Sequence, residues 1–198
     1  QSELKFLKNQ INPHFLFNTL NLIAGTAEIE DAATTEKMIN TLSRLFRYNL
    51  KTQNSIMPLE QEIKIMDDYM YLQQMRFGQR IKYMCDIDKN CLDELIPAFV
   101  LQPLIENAIA HGIDVKTDGR GKLTITGKED GDLIVLTVSD NGVGMSDEQA
   151  ARILTEESKG YGVRNVNERI KLYYGEQYSL QIESKIGQGT KASIRIPK

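Results

Sequence analysis

His14 and Asn18 stand four residues apart in the stretch NQINPHFLFNTLN, which runs from Asn9 to Asn21. At that spacing on a helix one side chain sits a turn above the other, so an imidazole and a carboxamide form a polar patch. The patch interrupts an apolar stripe of Leu4, Leu7, Ile11, Phe15 and Leu22. Pro13 precedes it, although proline inside a helix removes a backbone hydrogen bond and costs about 3 kcal/mol. A single His on a helix is more often packed or solvated than reactive, so the patch needs support from the rest of the chain.

Further along, ENAIAHG puts Glu106, Asn107 and His111 near the end of a helix, with Asn107 and His111 on one face. Asn has no propensity advantage at mid-helix, and its amide oxygen is a hard ligand suited to Mg²⁺. DNGVGM, at the end of a strand, has the form D-x-G-x-G. An ionised Asp140 only accepts hydrogen bonds and could take the amino protons of adenine. Gly142 and Gly144 lack the Cβ that would block a ligand approaching the backbone. GYGVRN sets Gly160 and Gly162 where a helix begins, and free N–H groups at the positive end of a helix dipole attract phosphate. In GQGTKASI, Gly187, Gly189 and Thr190 could edge a base pocket as the last strand begins. Taken singly, each motif has an ordinary explanation: a solvated Asn, an Asp-Asn-Gly turn, a loop at a helix start, a tight turn.

Composition narrows the classes. The 198 residues are 41% hydrophobic and 26% charged, as in an ordinary globular protein, and suffice for one large domain or two small ones. A net charge of −3 without a basic run speaks against nucleic acid as a partner. No run approaches the ~18 apolar residues of a membrane span, and no signal peptide is recognisable. Cys85 and Cys91, six apart, match neither a zinc spacing nor a disulfide framework and are expected to be reduced. The chain opens at Gln1 inside a helical pattern, without a cap, and is expected to be a fragment of a longer protein.

The elements that must position these residues follow from periodicity. Helices are expected over about Glu3–Glu28 and Thr34–Lys51, the second with Met38, Leu42, Leu45 and Phe46 along one face. The short connection IEDAATT implies an antiparallel hairpin, and pairing with a second copy would bury both stripes in a four-helix bundle. A third helix starts at Pro58 and ends at Gly78. From Arg80 the pattern becomes strand RIKYMCDID, a helix over about Ala98–His111, strands KLTITGKE and DLIVLTVSD, a helix over Gly162–Tyr174, and strands YSLQIESK and GTKASIRIP. The expected class is α+β: a dimeric helical hairpin (1–57), a connecting helix (58–79) and a two-layer α/β sandwich with a mixed sheet (80–198).

The order of an Asn-bearing helix, strand-DxGxG, GxG-helix and GxGT-strand resembles the N, G1, G2 and G3 boxes of the GHKL ATPase superfamily. With PHFLFN, QMRFGQRI, LQPLIENAIAHG and GYGVRNVNERI, nearly the whole chain resembles the LytS/YesM branch of sensor histidine kinases. The resemblance implies that His14 accepts the γ-phosphoryl group of ATP. Asn18, one turn on, would orient water or assist dephosphorylation. Asn107 would hold Mg²⁺ and Asp140 would read adenine. His111, Gly142, Gly144, Gly160, Gly162 and Thr190 would line the nucleotide under a lid over 146–161. It also implies a homodimer, a response-regulator Asp as phosphate acceptor, and a cytoplasmic place in a membrane sensor whose spanning segments lie outside this chain.

Three positions depart from the common kinase pattern. Phe15, not an acid, follows His14; Glu106 is the alternative base, although it points about 100° around the helix from Asn107. Ala110 replaces the usual basic residue before His111, and Pro103 replaces an acidic or Asn position. Two other functions stay open on these residues: a nucleotide-binding dimeric adaptor or phosphatase, and a conformational ATPase that hydrolyses ATP to drive a clamp. Label retained from γ-labelled ATP distinguishes the kinase from both.

Overall fold

Helical periodicity in the first fifty residues is realised as two helices, α1 (Pro13–Ile29) and α2 (Ala33–Lys51). The computed structural model describes residues 13–51, 55–115, 120–154 and 161–198, and the chain divides into two units, Gln1–Lys51 and Thr52–Lys198. The start expected for the first helix, with Leu4, Leu7 and Ile11, lies outside the described residues. At the hairpin, Asp31 adopts φ 55° and the Ala32 N–H donates to the Ala27 carbonyl at 2.7 Å, satisfying a last-turn acceptor. Leu20, Ala24 and Ala27 of α1 are buried, as are Thr41, Leu45 and Tyr48 of α2. Leu22 is 71% exposed, against expectation. Two residues beyond Leu20, it lies about 200° around the helix, on the outer side. Leu42 and Phe46 are also exposed, so each helix carries apolar residues on two faces and the hairpin buries one.

The second unit opens with β1 (Ile56–Pro58), which runs directly into α3 (Leu59–Phe77). β1 pairs antiparallel with β3 (Leu95–Pro97) as a separate two-stranded sheet. β2 (Ile81–Ile87), β4 (Gly121–Asp130), β5 (Leu133–Asp140), β6 (Leu180–Lys185) and β7 (Gly189–Pro197) form a five-stranded sheet in the order β2-β4-β5-β7-β6. The β2–β4 pair is parallel and the rest are antiparallel, so the sheet is mixed as expected. Alternation sends Leu123, Ile125, Leu136, Ile194 and Ile196 into one core with Met66, Met70, Ile105, Val166 and Ile170 from the helices. α3, expected as a connector separate from a domain beginning at residue 80, contributes Leu59, Met66 and Met70 to that core and is part of the second unit.

The helix expected from Ala98 begins only at Gln102, as α4 (Gln102–Asn107). Residues 95–97 are engaged with β1, and Phe99 sits at φ 61°, a conformation no right-handed helix contains. After Asn107 the helix widens to an i→i+5 pattern over Ala108–Ile113, with the Asp114 N–H donating to the Ile109 carbonyl at 2.8 Å. α5 (Asp147–Arg152) starts from a capping box: the Gln149 N–H donates to Ser146 Oγ and the Ser146 N–H to Gln149 Oε1. α6 (Tyr161–Tyr174) covers the sheet. Among the described residues no helix is long and apolar enough to cross a membrane.

Candidate functional site

Asp140 is the last residue of β5, and its carboxylate is almost wholly buried. Its Oδ1 accepts the backbone N–H of Gly142 at 2.7 Å. Burial pushes the carboxyl above its ordinary value, against the opposing pull of the Gly142 and Thr190 amides. The side chain lines a small cavity between α4 and the sheet, with Asn107 and Thr190 as further polar groups and Leu104, Val138, Met145 and Ile182 among the apolar walls. The ionised carboxylate offers only hydrogen-bond acceptors, which match a ring edge that carries N–H donors.

The loop after Asp140 is fastened at several points. Asn141 Oδ1 accepts the Lys122 N–H at 2.6 Å. The Val143 N–H donates to the Gly112 carbonyl, and the Val143 carbonyl accepts the Gly187 N–H at 2.7 Å. Ser184 Oγ accepts the Met145 N–H at 2.8 Å and lies 2.9 Å from Thr190 Oγ1. The two loop glycines are required by the chain itself. A Cβ on Gly142 would fall onto the backbone of Gly112, and one on Gly144, at φ 66°, onto the Lys185 carbonyl oxygen. Both glycines let helix, loop and hairpin come together at this point.

Of the residues expected at the site, Asn107, Asp140 and Thr190 come together around one cavity. Gly162 faces α4: a Cβ there would meet Pro103 Cβ at 2.9 Å, so Pro103 marks the close approach of α4 and α6. His111 is exposed and does not line the cavity. His111 belongs to the widened segment Ala108–Ile113 that follows Asn107. Glu106 is exposed, and its Oε1 accepts a hydrogen bond from Gln102 Nε2 at 2.8 Å. On the hairpin, His14 belongs to α1, and Asn18, one turn on, is exposed. Gly160 lies outside the described residues, as does part of the expected lid. Sequence reasoning missed Gly112 and Ser184. Gly112 adjoins His111 in the AHG run, while Ser184 carries no local signal.

Residues 2–81 match the family described as Histidine kinase, and residues 93–198 match the Histidine kinase-, DNA gyrase B-, and HSP90-like ATPase family. Sensor histidine kinase YesM of Bacillus subtilis is 38% identical over 198 residues, covering 100% of this chain and 33% of that protein. Sensor histidine kinase YpdA of Escherichia coli is 36% identical, and Sensor protein LytS of Bacillus subtilis 34%, over 100% and 99% of this chain and 34% of each relative. The chain thus spans about a third of the length of the curated relatives it matches. The catalytic domain of histidine kinase ThkA superposes with a TM-score of 0.57 at 18% identity, covering 73% of this chain and 95% of that one. The histidine kinase domain of the Erythrobacter litoralis EL346 blue-light activated kinase gives 0.54 at 15% identity, covering 93% of both. These structural likenesses establish the α+β fold. With Asp140, Asn107 and Thr190 gathered on that fold, this chain belongs to the histidine kinase-, DNA gyrase B- and HSP90-like ATPase family, an ATP-binding family, in its LytS/YesM-type sensor histidine kinase branch.

Proposed function

We propose that this chain is the kinase portion of a two-component sensor histidine kinase, which binds Mg-ATP in its second unit, phosphorylates His14 and passes the phosphoryl group to an Asp of a response regulator. The observation that carries the reading is the buried Asp140 carboxylate in a cavity shared with Asn107 and Thr190. Asp140 accepts from the adenine amino group, Thr190 borders the ring, and Gly162 approaches the phosphates at the start of α6. Mg²⁺ is commonly held by one or two protein oxygens plus substrate phosphates and water, and the Asn107 amide oxygen, on the cavity wall, would supply the protein oxygen. When bound, the ion neutralises charge on the transferring phosphoryl group.

A neutral imidazole nitrogen of His14 attacks the γ-phosphorus in line. A new P–N bond forms as the bond to the leaving ADP oxygen breaks. Asn18, exposed on the same helix, orients water at the phosphorylated ring, and Glu106 is available as a proton acceptor. The exposed Leu22, Leu42 and Phe46 support pairing of the hairpin with a second copy. The chain spans about a third of its relatives' length, which supports its being one portion of a longer sensor protein; we infer that this portion is cytoplasmic and is joined to a membrane by segments outside this chain. Incubation with γ-labelled ATP tests the kinase: label retained on the protein supports it, and turnover without labelled protein contradicts it.

A further inference from the structure

Glu62, on α3, has no exposed surface. Its Oε1 accepts two consecutive backbone N–H groups, from Val100 at 2.8 Å and Leu101 at 2.7 Å. From the other side Arg169, on α6, donates to the carbonyls of Ala98 and Phe99 and holds its guanidinium 5.9 Å from the Phe99 ring centroid. Side chains of opposite charge, from two different helices, therefore grip four successive residues. Between them Phe99 holds φ 61°, a left-handed conformation that bulky residues avoid and that persists only where the surroundings enforce it. α4 starts immediately after this turn and carries Asn107 at its end.

We propose that Glu62 and Arg169 are positioning residues for the nucleotide site: through the left-handed turn at Phe99 they set where the Asn107-bearing helix stands. The inference rests on the nucleotide reading of the Asp140 cavity. Asp140 belongs to the sheet, whereas Asn107 belongs to α4, so the spacing between them depends on what anchors α4. A carboxylate accepting two amides is a directional anchor, which apolar packing is not. An apolar residue at position 62 would fill the core without the desolvation of a buried charge, so packing alone does not call for Glu there. Movement of α3 draws on the amides of Val100 and Leu101 and so reaches Asn107, which makes ATP affinity responsive to α3.

The test uses the whole chain and two readouts: Mg-ATP affinity by calorimetry, and amide hydrogen exchange across residues 102–113 without nucleotide. Glu62→Ala is expected to weaken ATP binding and to speed exchange over that segment, each by about tenfold or more, since it removes the acceptor of both the Val100 and the Leu101 amide. Glu62→Gln keeps an oxygen that can accept both amides and is expected to restore most of both. Ile63→Ala removes neighbouring core packing and should lower thermal stability while leaving ATP affinity and the segment's exchange in place. If Glu62→Ala behaves as Ile63→Ala does, the carboxylate is merely structural and the proposal is overturned. Should Glu62→Ala not fold, Arg169→Met cuts the other half of the grip, and unchanged affinity and exchange in that variant would overturn the proposal equally. A wild-type chain that fails to bind ATP would defeat the nucleotide reading, and the exchange measurement would still decide whether Glu62 anchors α4.

Discussion

Gly112 lies against the carboxylate of Asp140 so closely that a Cβ on the glycine would stand 2.8 Å from Asp140 Oδ1. The same glycine's backbone is what a Cβ on Gly142 would strike, and its carbonyl accepts the Val143 N–H. The Asn-bearing helix and the DxGxG loop therefore meet at one residue without a side chain, and that contact fixes the carboxylate at the cavity wall.

Gly112→Ala tests this contact. Alanine is the better helix former, but here its methyl group must displace the Asp140 side chain. Overpacking of this kind costs about 1–3 kcal/mol. ATP affinity measured by calorimetry should fall by about tenfold or more, while far-ultraviolet circular dichroism stays that of the wild type. Undiminished affinity would mean that the carboxylate does not need this position.

Asp140→Asn addresses base selectivity. Asparagine keeps an oxygen for the Gly142 N–H but presents an NH₂ group where the carboxylate has only acceptors. Loss of a charged hydrogen bond of about 1.5–3 kcal/mol corresponds to about 10- to 100-fold weaker ATP binding. Wild type should discriminate against GTP, whose ring carbonyl would face the carboxylate unpaired. Equal affinities for ATP and GTP would defeat the assignment of Asp140 to adenine.

Glu62 predicts a pH dependence of stability. Burial raises its carboxyl from 4.5 to about 7, with Arg169 and the amides of Val100, Leu101 and Gln102 pulling the other way. A folded state that holds the proton more tightly than the unfolded chain is favoured at low pH. This contribution is full below about pH 4.5 and is lost as the pH rises through about 7. Its magnitude is about 3 kcal/mol, at about 1.4 kcal/mol for each pH unit. Urea unfolding of the second unit across that window should show the slope in wild type and a flatter profile in Glu62→Gln. Identical slopes in the two proteins would count against a raised Glu62.

Much of this architecture was legible because its signals are local. The five long strands carry alternating apolar residues, and the D-x-G-x-G motif sits at the end of its strand, as its sequence context implies. What escaped depends on distant contacts. β1 and β3 are three residues each, too short to show a period, and exist by pairing across some forty residues. The widened turn after Asn107 has no sequence mark. Gly142 and Gly144 were recognisable as positions without side chains, but the groups that fill the space, Gly112 and the Lys185 carbonyl, come from elsewhere in the chain. Leu22 was placed on the packed stripe because period alone does not say which of two apolar faces a hairpin buries.

Pairing of the hairpin has its own test. Leu42 is exposed within one chain whereas Leu45 is buried in it, so the two positions separate assembly from folding. Leu42→Asp should leave the hairpin helical and shift the species seen by light scattering from dimer to monomer, because the carboxylate would be buried only in the pair. Leu45→Asp should instead unfold the hairpin. A wild-type chain that stays monomeric at high concentration would contradict the bundle.

His14→Gln decides the phosphoryl acceptor. Glutamine keeps a polar side chain of similar reach on α1 but has no nucleophilic ring nitrogen, so labelling from γ-labelled ATP should be abolished. The Asp140 cavity belongs to the second unit, and ATP affinity should therefore stay at the wild-type value. In wild type the bound label should behave as a phosphoramidate, stable in alkali and lost in mild acid. His111→Gln is the control, because the chain has only two histidines and His111 is exposed, away from the cavity lining. That variant should bind ATP and retain label. Should His14→Gln label as strongly as wild type, the phosphate is carried elsewhere, and Pro13 and His14 are no more than a polar interruption of an apolar helix.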